Sequence, residues 1–388
     1  MRLVLSGLLL VFGPLAPSLA AQDHAPGTLF DAVAKVMAKS YYDREFRKEQ
    51  WPSLVARYRP AALLCGDLDE ERAVVQALLG NVPATHLSLY SKATHDQLMR
   101  DLRKAESPMF GCELEQIAGR FFAMAILEGG PAARAGLRRG DEVVAIDGAR
   151  VGGHERLDRS SDDAYLPDRP RHQILCRGAD DGVRLRVRRT RDGAEQDIDV
   201  PAASYSSWRA ASASVGVHEV AGRRIGYVHY WFIHMGGVAA HFRAAAENEL
   251  AGCDAIVLDL RGRGGDGSAV APLVRAVREL ERPVIALIDG GTRSAKEVIA
   301  YRLREENVAT LVGEHTARAV IPATFQPVGD EDVLMFPSFT LGKFTTEIEL
   351  KGVAPHEAVV DSLAWAEGAD PILTAGLRVA AQRVGSAK

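Results

Sequence analysis

From Ile225 onward the chain alternates short apolar runs with amphipathic helical periodicity, and this repeat constrains the fold more than any other feature. Residues 225–231 read as a strand and residues 238–250 as an amphipathic helix. Residues 254–260 (Asp-Ala-Ile-Val-Leu-Asp-Leu) form a continuous apolar strand that runs into glycines. A helix over 269–280, a strand over 284–289 and a helix from Ser294 follow. Such units need crossover connections, so the strands are expected to be parallel with helical cover on both faces. Reactive groups in such a sheet collect at the carboxyl ends of its strands.

Two of those strand ends carry chemistry-bearing residues. The first is Asp259-Leu260-Arg261-Gly262-Arg263-Gly264-Gly265-Asp266-Gly267. Its glycines let main-chain amides converge on a ligand, which is how an oxyanion hole is built. It does not read as a phosphate loop, because no Gly-Lys-Ser/Thr follows. The second is Asp289-Gly290-Gly291-Thr292-Arg293-Ser294-Ala295-Lys296-Glu297. Taken alone, Ser-x-x-Glu reads as a capping box, with Ser294 as N-cap and Glu297 returning the bond. The same placement puts a hydroxyl at a helix N-terminus, where negative charge developing on a nucleophile or its adduct is stabilised.

The chain before this region divides again. Arg2 and the apolar residues 3–12 lead to Ser18-Leu19-Ala20-Ala21, the pattern of a secretory signal peptide with cleavage expected after Ala20. That run is far shorter than the roughly 20 residues needed to span a bilayer. The mature chain is therefore expected to be exported, periplasmic or secreted, with no integral membrane segment. Leu29, Val33, Val36 and Met37 recur at helical spacing, as do Trp51, Leu54, Val55 and Tyr58, so a small helical domain is expected over 27–105.

Residues 108–203 are strand-rich, and their centre runs Gly129-Gly130-Pro131-Ala132-Ala133-Arg134-Ala135-Gly136-Leu137, then Gly140-Asp141-Glu142-Val143-Val144-Ala145-Ile146-Asp147-Gly148. This motif resembles a PDZ domain, a fold that binds extended peptides by adding a strand at a sheet edge. The resemblance places the peptide-binding loop at Gly111, Cys112, Glu113 and Leu114. Glu113 stands where family members usually carry a second glycine, so a negative charge faces the expected carboxylate position. Weak preference for free C-termini is the consequence.

Composition narrows the function class. Lys+Arg 47 against Asp+Glu 51 gives 47 − 51 = −4, which argues against a nucleic-acid partner. Four cysteines (Cys65, Cys112, Cys176 and Cys253) lie too far apart for a zinc pattern, and their pairing is not fixed by sequence.

The order of these parts resembles the C-terminal processing (tail-specific) serine peptidase family: a helical N-terminus, a PDZ motif, a strand ending Asp-Leu-Arg-Gly-x-Gly-Gly, and Gly-Gly-Thr-x-Ser-Ala-x-Glu. The likeness continues in Leu311-Val312-Gly313-Glu314-His315-Thr316 and in Gly352-Val353-Ala354-Pro355-His356. It implies a multidomain α/β fold with a crotonase/Clp-like core over 213–385. It also implies Ser294 as nucleophile, with Gly264, Gly265 and Ala295 supplying the oxyanion hole. Most members pair the serine with a downstream lysine, where this chain has Ala319. The tricorn-like branch uses Ser–His–Glu instead, and His86 in Ala-Thr-His-Leu-Ser and Glu349 lie at similar positions. Lys296 is the rival base, but two residues along a helix from Ser294 it is expected to point to another face. Arg318 replaces a glycine common in tricorn-like relatives. The resulting expectation is an exported serine peptidase acting on peptides or unfolded segments, without metal or organic cofactor. Two other classes stay open: a degenerate peptidase that only binds peptides, and an acyl-CoA enzyme on the crotonase topology, which export and the PDZ motif disfavour.

Overall fold

The computed structural model describes residues 25–159 and 169–386. The expected signal segment, residues 1–20, lies outside them.

The N-terminal part consists of α1 (Thr28–Ser40), α2 (Arg44–Glu49), α3 (Trp51–Ala62), α4 (Leu68–Leu79), β1 (Ser88–Ser91) and α5 (Lys92–Leu102). Side-chain caps start several of these helices: Asp43 accepts from the amides of Glu45 and Phe46, and Asp67 from that of Glu70. The apolar stripe of α1 (Phe30, Val33, Met37) meets Trp51, Val75 and Leu78, and the same core contains Leu334 and Phe336 from the far end of the chain. Each such fully buried side chain contributes roughly 1.5–3 kcal/mol. The helices are thus held partly by a strand some 250 residues away, and β1 completes the attachment by pairing antiparallel with that strand, Ser88 opposite Met335.

The middle part runs β2 (Ser107–Met109), β3 (Cys112–Ile117), β4 (Arg120–Ile126), α6 (Pro131–Arg134), β5 (Glu142–Ile146), β6 (Ala149–Arg150), β7 (Leu157–Arg159), β8 (Arg171–Ile174), β9 (Gly182–Arg188), β10 (Glu195–Pro201) and β11 (Ala203–Tyr205). Its antiparallel sheet has the order β10-β9-β5-β4-β3-β8-β7, with β6 on β5. In β9, exposed and buried residues alternate, as they do in a sheet with one wet face.

The last part holds α7 (Ser207–Ser214), β12 (Gly216–Val220), β13 (Arg223–His229), α8 (Val238–Glu247), β14 (Ala255–Asp259), α9 (Val270–Arg278), β15 (Val284–Ile288), α10 (Ala295–Glu305), β16 (Thr310–Gly313), β17 (Ala323–Pro327), β18 (Asp332–Pro337), α11 (Lys343–Ile348), β19 (Glu357–Ala358) and α12 (Pro371–Ser386). The sheet order is β12-β13-β14-β15-β16-β19, parallel from β13 to β19 with β12 antiparallel at the edge. Every residue of β14 and β15 is buried, because helices cover both faces. Consecutive carboxyl ends of β14, β15 and β16 open on one side, and the loops that follow them build the candidate site.

Candidate active site

Between β15 and α10 the chain turns sharply. Asp289 Oδ1 accepts from the amides of Gly291 (3.0 Å) and Thr292 (2.8 Å) and, across the sheet, from that of Gly262 (3.3 Å). One carboxylate therefore fastens both glycine-bearing turns. Ser294 sits at the apex with φ 55° and ψ −126°. That conformation costs a non-glycine residue on the order of 1–3 kcal/mol and resembles the strained elbow that projects a nucleophile. Its amide donates to Ala319 O at 2.7 Å. The capping box permitted by the sequence does not form: Ser294 makes no side-chain cap bond, and Glu297 turns away to other donors.

Beside it lies the turn after β14. Ile233 N donates to Gly264 O (3.0 Å) and Asp266 N to Ile233 O (2.7 Å), which lays the turn along a neighbouring segment. Gly265 has φ 145°, and a Cβ there would stand 2.2 Å from Ile233 O, so no larger residue fits. A Cβ on Gly264 would stand 3.0 Å from Ser294 Cβ, placing this backbone against the serine side chain. Among the described residues, the amides of Gly264, Gly265 and Ala295 meet no protein acceptor. Ala295 opens α10, where an unpaired N–H and the helix dipole favour an anion. The base of the turn is rigid, because Arg261 donates to Asp259 (3.0 Å) and Asp370 (2.9 and 2.8 Å).

The loop after β16 supplies the third wall. Glu297 accepts from Thr316 Oγ1 (2.5 Å) and from the amides of Arg318 (2.8 Å) and Ala319 (2.7 Å). Burial pushes its carboxyl up to about 7, against the pull of those donors. Glu349 Oε2 accepts from the amides of Val320 (2.8 Å) and Ile321 (2.9 Å), and its Oε1 accepts from Thr85 Oγ1 (2.6 Å) and Thr85 N (3.3 Å). Thr85 Oγ1 is also 3.2 Å from His86 Nδ1. The hydroxyl has one proton and gives it to the carboxylate, so the bond to His86 requires a proton on Nδ1 and leaves the lone pair on Nε2. His86 itself is buried with φ 54°. Ser294, Ala319, Val320, Glu349, Thr85 and His86 thus form one bonded series. Glu349 reaches the imidazole through Thr85, a residue the sequence reading passed over although it precedes His86.

Lys296 is fully buried, and its Nζ donates to the carbonyls of Tyr230 and of Arg261 (2.8 Å). Burial pushes its ammonium down to about 7, with Asp289 and Asp259 opposing the shift. It clamps the root of the glycine turn, a position that its helical spacing did not disclose. Ala319, at the position that holds a lysine in most of the resembled family, is fully buried. Arg318 adopts φ 66°, a conformation that a glycine would take without strain.

The expected peptide-binding loop leads into β3, which the chain itself pairs on both sides. Gly111 (φ 73°) packs on Pro131, but β3 does not offer a free edge. β8 pairs antiparallel with it, Glu113 opposite Gln173, Leu114 opposite His172 and Glu115 opposite Arg171. β8 thus occupies the edge of β3 along residues 113–115. The four cysteines are free thiols, two of them buried.

Residues 275–359 match the Peptidase family S41 model and residues 122–160 the PDZ domain model. A tricorn protease homolog of Streptomyces coelicolor is 24% identical over 90% of this chain, which spans only 32% of that protein. The C-terminal processing peptidase of the Tetradesmus obliquus chloroplast is 23% identical over 74% of this chain and 67% of its own. Among solved structures, the photosystem II D1 C-terminal processing protease superposes with a TM-score of 0.51 at 18% identity, covering 89% of this chain and 97% of that one.

Proposed function

We propose that this chain, a PDZ-bearing member of the S41 serine-type peptidases, hydrolyses peptide bonds with Ser294 as nucleophile and His86 as base. The observation that supports the reading is the series running from the Ser294 amide through Ala319 and Val320 to Glu349, Thr85 and His86, with alanine at position 319 where most of the family carries lysine and with Lys296 donating to carbonyls. His86 Nε2 takes the Ser294 Oγ proton as Oγ attacks the substrate carbonyl carbon. The oxyanion develops against the amides of Gly264, Gly265 and Ala295, which stay fixed throughout and so need no reorganisation. Collapse expels the amine, protonated by His86, and a water activated by the same imidazole then hydrolyses the acyl-enzyme. Thr85 and Glu349 hold the tautomer and stabilise the imidazolium. Substrates are peptides or unfolded protein segments, because cleavage needs an extended backbone laid across the turn. The N-terminal residues 1–20 support action outside the cytoplasm. Among the described residues no helix is long and apolar enough to cross a membrane.

The test is labelling with a fluorophosphonate, comparing wild type with Ser294→Ala. Labelling is expected in the wild type and not in the variant, and casein turnover should vanish with it. Ser294→Ala should melt close to wild type, since no cap bond is lost. A folded wild type that takes no label would instead support the degenerate, binding-only alternative.

A further inference from the structure

The PDZ sheet approaches the candidate site through Glu113 and through side chains on and just before β8. Glu113 on β3 accepts from the Arg263 guanidinium, in the middle of the glycine turn. Gln173 stands directly opposite Glu113 on β8, and its side-chain oxygen, in the orientation its neighbours require, accepts from Arg263 Nη1 at 3.2 Å. Two residues earlier on β8, Arg171 is buried over the other turn. A Cβ on Gly291 would stand 2.6 Å from its guanidinium, and Asp289 is 3.6 Å away. Arg169 continues the seam, pairing with Glu115 (2.9 Å) within the sheet and with Glu314 (2.9 Å) beyond β16. The strand pair β3–β8 therefore touches the glycine turn and the nucleophile turn at once. Its edge is filled by β8, the place at which a strand-adding peptide would have to lie.

We propose that the β3–β8 pair is a fixed positioning element for the oxyanion-binding turn, with Glu113 and Gln173 holding Arg263, and that substrate does not enter by adding a strand to β3. This rests on the peptidase reading for the role of the turn. The physical case is one of charge and burial. Glu113 faces a guanidinium, so the carboxylate that would repel a peptide C-terminus is neutralised from the catalytic side. A partly buried, charge-assisted bond of this kind fixes its partner more firmly than a neutral one. Arg263 lies between the two glycines Gly262 and Gly264, whose backbones have no side chain of their own to anchor them. Glu113 and Gln173 are accordingly positioning residues, acting on the reacting atoms only through Arg263.

Two measurements test this, both on the full mature chain. The first is steady-state turnover and fluorophosphonate labelling of Glu113→Ala, Glu113→Gln and Glu113→Asp. We expect kcat about tenfold lower in Glu113→Ala, KM within about twofold of wild type, and partial recovery in Glu113→Asp. An unchanged kcat with a raised KM would mean that Glu113 serves substrate docking and would overturn the proposal. The second is amide hydrogen exchange on Ser294→Ala, titrated with one short apolar-tailed peptide as free acid and as amide. Protection of residues 113–116 and 171–174 is expected to persist at saturating peptide. Loss of protection over 171–174, with peptide replacing β8, would overturn it. In Glu113→Ala, exchange over 261–266 should rise; an unchanged rate counts against the proposal. These exchange results do not need catalysis. A wild type without labelling but with the expected exchange pattern would refute the peptidase reading and leave the positioning role standing.

Discussion

The two halves of the proposed catalytic apparatus are built differently. The nucleophile half (Asp259, the glycine turn, Asp289 and Ser294) lies on two adjacent strand ends, and its residues are joined by main-chain geometry and one shared carboxylate. The base half gathers Thr85 and His86 from the N-terminal segment, Val320 and Ile321 from the loop after β16, and Glu349 from the end of α11. Its members are brought together by the β1–β18 pairing and the core shared across it. A site made by a local turn tolerates change elsewhere in the fold. One assembled from three segments is only as fixed as the contacts that carry them.

The largest effect expected from this contrast is at His86. His86→Ala should lower turnover by about a thousandfold or more, because the nucleophile loses its proton acceptor while the oxyanion donors stay. Turnover of the wild type should rise with pH through the range where histidines ordinarily lose their proton, about 6 to 7. A normal pH–rate profile in His86→Ala would show that the base half is not a base at all.

Next come the two residues behind it, which should separate in kind. Thr85→Val should lower kcat roughly tenfold to a hundredfold with little change in melting temperature, because it breaks the link between imidazole and carboxylate alone. Glu349→Gln should lower kcat and also destabilise the fold by about 1–3 kcal/mol, since one of its two accepting oxygens becomes an NH2 that cannot accept from either donor pair, Thr85 or Val320 and Ile321. Equal thermal losses in the two variants would remove the distinction.

The smallest effect is on the nucleophile side. Lys296→Met should reduce kcat about tenfold by loosening the root of the glycine turn. Its more telling signature is in stability against pH. The folded ammonium titrates at about 7 while an unfolded lysine titrates near 10.4, so the unfolded state binds more protons between those values. Wild-type stability should gain from this group as pH rises from about 7 to 10, and lose that gain as pH falls through 7. Lys296→Met should flatten that slope; an unaltered slope would place the pH dependence elsewhere.

Much of the architecture is legible in the sequence. The uninterrupted apolar runs that become β14 and β15 are what a parallel strand buried on both faces requires, and each ends in glycines where the crossover turn needs them. Ser294 and the glycine turn could be singled out for the same reason: strand-end chemistry is written in contiguous residues. His86 and Glu349 were reached by resemblance, and Thr85, whose hydroxyl joins them, was not reached at all.

What only the tertiary structure decided follows from separation along the chain. Whether Glu297 returns a capping bond to Ser294 is decided by the donors it finds instead, in the loop of Thr316, Arg318 and Ala319. Where the Lys296 ammonium points is set by two carbonyls, that of Tyr230 just after β13 and that of Arg261 in the glycine turn. The PDZ motif announced its fold through local turns, yet its edge was closed by β8, a segment some 60 residues beyond β3 in sequence. Local conformational preferences and apolar periodicity act over a few residues, so the sequence by itself determined the strands, the turns and the order of the parts. Hydrogen-bond partners and edge occupancy are settled by chain packing, which no local pattern encodes.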